Sequence, residues 1–112
     1  MSWYRHAVPS EGSAIDFASP AQTSPLLLKA ITISWSTAPT TSGNLTITLD
    51  SALGASYDVE LYVVNPSLDS LTAVLLTDIN LPIFVGDSLT VVYANADSRD
   101  MGIQIILSDG AA

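Results

Sequence analysis

His6 is the only imidazole in the chain, and it closes the run Trp3, Tyr4, Arg5, His6. A catalytic imidazole needs a nucleophile to deprotonate, and a zinc-bound one needs further nitrogen or sulfur ligands. Its neighbours Arg5 and Ala7 supply neither, and the chain has no cysteine. The pattern therefore assigns no catalytic residue, no metal ligand and no cofactor. It reads instead as an aromatic and basic patch that docks on a partner, because Trp, Tyr and Arg are the side chains most enriched at interface hot spots. Val8, Ile15 and Phe17 extend the patch with apolar residues that a purely solvated tail seldom carries. The candidate partner-binding set is Trp3, Tyr4, Arg5, His6, Val8, Ile15 and Phe17.

Other residues could carry chemistry, and each has a plainer reading. Asn95, Asp97 and Asp100 could offer oxygen ligands to calcium, yet they lack the alternating order and bidentate Glu of an EF-hand loop, and Arg99 sits among them as a competing cation. A turn held by Asx hydrogen bonds is the better reading. Asp50, Asp58 and Glu60 are close in sequence, but paired carboxylates for glycoside hydrolysis also need a groove and an acid of raised pKa. Asn44-Leu45-Thr46 matches a glycosylation acceptor, a pattern common by chance. Trp35 could stack on a sugar, but it falls in phase with Ile31 and Ile33, which favours a core or sheet-end position.

The elements that must position these residues are strands. At 112 residues the chain fits one domain. Charged residues make up only 12%, about half the usual share for soluble domains, so much of the surface must be hydroxyl, amide or apolar and suited to contact with neighbours. A net charge of −8 repels phosphate backbones and anionic lipid surfaces, which argues against nucleic acid and membranes as partners. No stretch is long and apolar enough to span a bilayer as a helix, and the N-terminus lacks the basic-then-apolar order of a signal peptide.

Apolar residues alternate with polar ones in successive segments bounded by turn signals. Leu26 to Trp35 places Leu27, Ile31, Ile33 and Trp35 on one face. Asn44 to Asp50 points Leu45, Ile47 and Leu49 inward and Thr46 and Thr48 outward. Tyr57 to Val64 puts Tyr57, Val59, Leu61 and Val63 together. After a turn at Asn65, Pro66 and Ser67 come two shorter runs, Leu71 to Thr77 and Leu81 to Val85, with Pro82 marking the second as an edge strand. Gly86 and Asp87 turn into Ser88 to Tyr93, where Leu89, Val91 and Tyr93 alternate. Met101 to Leu107 closes the chain with Met101, Ile103, Ile105 and Leu107 on one face. The expected core is Leu45, Ile47, Leu49, Val59, Leu61, Val91, Ile103 and Ile105.

Seven to eight such strands predict an all-β fold, an antiparallel β-sandwich of jelly-roll or immunoglobulin-like type, over residues 26–112. Residues 1–25, punctuated by Pro9, Gly12, Pro20 and Pro25, show no useful period and read as an extended N-terminal arm, removable without unfolding the rest.

The stretches LTITLDSALGASY (Leu45 to Tyr57), LPIFVGDSLTVVYAN (Leu81 to Asn95) and GIQIIL (Gly102 to Leu107) resemble small β-sandwich structural proteins of tailed bacteriophages, accessory proteins that decorate capsids or attach to neck and tail components. The resemblance covers roughly residues 26 to 108. It implies a non-enzymatic role in the virion, made in the host cytoplasm, with the major capsid or a neck or tail protein as partner and the arm as anchor. A homo-oligomer, by analogy a trimer, would cover exposed strand edges. The alternative is a carbohydrate- or receptor-binding module at a tail or fibre tip, using loops Ser36 to Gly43 and Asn95 to Asp100.

Overall fold

A computed structural model describes residues 3–68 and 70–109, so Met1, Ser2 and residues 110–112 of the expected segments lie outside the described residues. Among the described residues nine strands follow one another: β1 (Trp3–Glu11), β2 (Ile15–Ala18), β3 (Leu26–Trp35), β4 (Leu45–Asp50), β5 (Val59–Val64), β6 (Ala73–Leu76), β7 (Leu81–Ile83), β8 (Ser88–Tyr93) and β9 (Asp100–Ser108). They form two antiparallel sheets. The first runs β1-β9-β3-β6, with β7 also paired to β3, and the second runs β2-β8-β4-β5. The inward side chains of both sheets meet in one core, so the all-β sandwich is the fold.

The central strands obey the alternation read from sequence. Leu45, Ile47, Leu89, Val91, Ile105 and Leu107 are completely buried, and Trp35 from β3 meets Tyr93 from β8 edge to face across the two layers, with ring centroids 6.4 Å apart. Trp35 is thus part of the core. Its indole Nε1 reaches no acceptor at hydrogen-bond geometry.

Three expectations are corrected. First, residues 3–25 do not form an arm apart from the sandwich. β1 pairs with β9 along its whole length, from Trp3 opposite Ser108 to Glu11 opposite Asp100, and β2 pairs with β8. The chain changes sheets at Gly12, whose φ of 96° is a left-handed conformation that glycine adopts without strain. Pro9 is tolerated in β1 because an edge strand has one side without ladder bonds. Second, Leu28 and not Leu27 faces the core. A bulge between Leu28 and Ala30 inserts Lys29, so the inward phase passes from Leu28 to Ile31. The carbonyl of Lys29 accepts the amide of Ile79 (3.2 Å), and its ammonium donates to the Asn80 side chain. Those contacts hook the β6–β7 link onto the bulge and let β6 and β7 share one side of β3.

Third, Val59 is not core, and Leu61 is only half-buried. β5 starts two residues later than expected, after a 3₁₀ turn at Ala55–Tyr57, and its pairing with β4 shifts between Ile47 and Thr48. Ile47 therefore faces Tyr62 while Thr48 faces Glu60. Leu61 is the extra residue between them, and Val63 is carried to the outer face.

Candidate docking site on the β1 edge

The alternation within β1 divides the expected patch. Tyr4, His6 and Val8 stand opposite Leu107, Ile105 and Ile103, on the inward phase, whereas Trp3, Arg5 and Ala7 stand opposite Ser108, Ile106 and Gln104, on the outer face. Val8 and Ile15 are 7% and 5% exposed, so both belong to the core and offer nothing to a partner. Phe17 is half-buried on β2 and meets the His6 ring at 6.2 Å, tilted by 53°. That contact bridges the two sheets on this side.

What remains free is the Trp3 end of the strand. Trp3 is 60% and Tyr4 49% exposed. Arg5, on the outer face, donates from Nη1 to Oε1 of Gln104 at 3.3 Å. Two shallow depressions flank Tyr4. One, of about 430 Å³, lies on the outer face among Trp3, Arg5, Gln104 and Ile106. The other, of about 420 Å³, lies between Tyr4, His6 and the Pro20 to Ser24 link. Large aromatic area with few rotatable bonds, a planar donor fork and an unpaired strand edge together suit binding to a protein surface.

The other candidate groups are tied into the scaffold. Asp97 accepts the amides of Thr40 and Thr41 (both 2.7 Å) and the Thr41 hydroxyl (2.6 Å). The Thr41 and Thr40 donors hold its carboxyl down at about 2, against an ordinary 3.8. The Asn95 amide donates to the carbonyls of Ser13 and Arg99, and its oxygen accepts the amide of Arg99 (3.0 Å), the expected Asx closure. Arg99 in turn donates to the Ala38 carbonyl at 3.3 Å. The loops on either side of these contacts, 36–43 and 95–100, are thereby braced against each other. Asp58 accepts the Ser51 amide at 2.8 Å, and Glu60 lies on the outer face of β5. Among the described residues no group of three or more His, Cys, Asp or Glu could hold a metal ion. Burial first, then the charge of Asp97, raises the Tyr93 phenol above its ordinary value.

Sequence reasoning missed two features. Asp87, only 4% exposed, accepts the amides of Ala52 (2.8 Å) and Phe84 (3.0 Å) on its carboxylate, its carbonyl accepts the Gln22 amide (2.9 Å), and the neighbouring Gly86 amide donates back to the Gln22 carbonyl (2.8 Å). The Gly-Asp pair signalled a turn but not that its carboxylate would pin the β4–β5 loop. The second is an apolar cleft of about 450 Å³ between β5 and β6, on the side opposite β1, and no local pattern announces a gap between two sheets.

No protein-family model matches the chain, and no curated protein matches it. Among solved structures, the core of Drosophila NLP, described for pentamer formation and histone binding, aligns with a TM-score of 0.48 and 15% identity over 96% of this chain and 95% of that one. PirA aligns with a TM-score of 0.45 and 16% identity over 93% of this chain and 92% of that one. These are likenesses of backbone path, and they carry nothing about what this chain binds.

Proposed function

We propose that the protein is a non-enzymatic structural subunit that docks through the Trp3 end of β1, self-associates, and serves in a bacteriophage particle as a decoration or accessory component. The observation that carries the docking is the pair of exposed aromatics, Trp3 and Tyr4, beside Arg5 on a free sheet edge. The virion setting rests on the sequence resemblance over residues 26 to 108. Docking is preferred to glycan binding because the loops at 36–43 and 95–100 carry no aromatic residue, and their polar groups are largely occupied in bracing one another. Purified particles from the phage that encodes the chain should contain it by mass spectrometry and show it in a cryo-electron map. Its absence from both would overturn the virion reading. In solution at micromolar concentration, light scattering should give an oligomer, and a monomer would count against self-association.

A further inference from the structure

We infer that the protein is a twofold dimer in which the outer faces of the first sheet stack on each other, Trp3 and Arg5 of each copy covering a depression on the other. The inference rests on the self-association reading and names its surface and symmetry. Strand register lays that face out in level rows. Trp3, Leu27 and Pro82 share a row with Ser108, and Arg5, Ile106 and Ala30 form the next. Ala7, Gln104, Thr32 and Leu75 make up the third, and Pro9, Gly102, Ser34 and Ala73 the fourth.

Charge and area select a second copy. Across these rows Arg5 is the one charged residue, in a chain of net charge −8. Lys29, the extra residue of the β3 bulge, is held by the Asn80 side chain in the β6–β7 link, so the two cations stand at opposite sides of the face. A centre without charge and an Arg at the rim is the composition of a protein interface. The outer face of the second sheet differs, because Asp16, Asp50 and Glu60 stand exposed on it and would be set against one another by the same stacking. With strands about 4.8 Å apart and about 3.3 Å per residue, the first face offers about 550 Å² per copy, and a pair buries about 1,100 Å², enough for a specific interface. Leu75, 70% exposed on the third row, is then covered.

Shape fixes the symmetry. Trp3, 60% exposed, is the protrusion, level with Ser108. Toward the other end of the face lies a shallow depression of about 580 Å³, bordered by Pro9, Ser34, Ser36 and Asp100 around Gly102. A Cβ on Gly102 would meet nothing within 4 Å, so the missing side chain leaves the space. Gln104 stands midway between Ser108 and Asp100 along β9. A twofold axis crossing the strands at the Gln104 row therefore lays each Trp3 at the Asp100 level of the other copy, and each Arg5 at the Gly102 level beside the Asp100 carboxylate. On the axis row Leu75 meets Leu75, and the Gln104 amide, both donor and acceptor, meets its own copy. Such a contact closes on itself at two copies. Tyr4, on the inward phase, and the free edge of β1 stay outside it for a further partner.

Sedimentation velocity and native mass spectrometry at micromolar concentration should give a dimer. Leu75→Arg sets two like charges against each other on the axis, and Gly102→Val fills the depression. Each should weaken the dimer at least tenfold without changing the circular dichroism, since Leu75 is exposed and the space over Gly102 is open. The chain has no cysteine, so a single introduced thiol reports which face meets its copy even where a substitution disturbs folding. A short bismaleimide should join Leu75→Cys into a covalent dimer and leave Val92→Cys, on the outer face of the second sheet, as single chains. If the wild type is an oligomer that keeps its mass in either blocked variant, or if Leu75→Cys crosslinks no better than Val92→Cys, the inference fails while self-association stands. A trimer or larger ring would remove the twofold axis and the inference with it. A monomeric wild type would remove both readings.

Discussion

The two side edges of the sandwich face the same difficulty, a seam where the two sheets part, and they resolve it in different ways. On one side β1 and β2 are joined through residues 12–14 only, so they must stack directly, and Val8, Ile15, Phe17 and His6 fill the seam. On the other, β5 and β6 are separated by residues 65–72, whose start is clamped by Asn65, the acceptor for the amide (3.2 Å) and hydroxyl (2.7 Å) of Ser67. That longer link lets the strands stand apart and leaves a cleft. A short connection imposes closure, while a long one permits an opening.

Deleting residues 1–17 should break the closed edge altogether. It removes β1 and most of β2, takes Val8 and Ile15 out of the core and turns β9 and β8 into edge strands paired on one side only, so cooperative thermal unfolding by circular dichroism should be lost. A truncated chain that melts as sharply as the full one would show the closed edge to be dispensable. Between the edges, Ile47→Ala provides the scale for a full core cavity, about 2–5 kcal/mol by chemical denaturation, whereas Val63→Ala on the outer face of β5 should stay within about 0.5 kcal/mol. Equal losses at the two positions would mean that the β5 bulge is misplaced.

A direct contrast comes from Phe17→Ala, expected to cost about 1.5–3 kcal/mol because it reopens a filled seam, against about 1 kcal/mol for Leu61→Ala, which only widens one already open. The reverse order would invert the comparison. Gly86→Ala should cost about 1–2 kcal/mol, since φ is 89° there and a Cβ would stand 2.8 Å from that of Ala52. It should also loosen Gln22, which leads from the closed edge into β3, and faster hydrogen exchange at the Gln22 amide would report this.

The smallest effect belongs to the end loops. The Asp97 carboxyl is held below its ordinary 3.8, at about 2, so its contribution is complete above about pH 4 and is lost as pH falls through about 2. The Thr40 and Thr41 amide resonances should follow that titration, while signals from Tyr4 and His6 on the closed edge stay unmoved by it. Amides that titrate near 4 instead would mean that the brace is not formed.

What the sequence determined by itself was the fold class and the interior of the central strands. Alternation is a local property, and wherever a strand has neighbours on both sides and no inserted residue, as at Leu45 to Leu49, Leu89 to Tyr93 and Met101 to Leu107, the apolar phase and the buried phase coincide. It also carried the aromatic and basic character of Trp3, Tyr4 and Arg5. Tertiary structure decided the rest. A single extra residue at Lys29 or Leu61 reverses the phase of the strand beyond it, and whether it is accommodated depends on the partner strand. Residues 3–11 became a strand only because β9, about a hundred positions away, offered them a ladder, and no local pattern encodes a partner at that separation. That same pairing put Val8 inside and left Trp3 outside, dividing one apparent patch into core and surface.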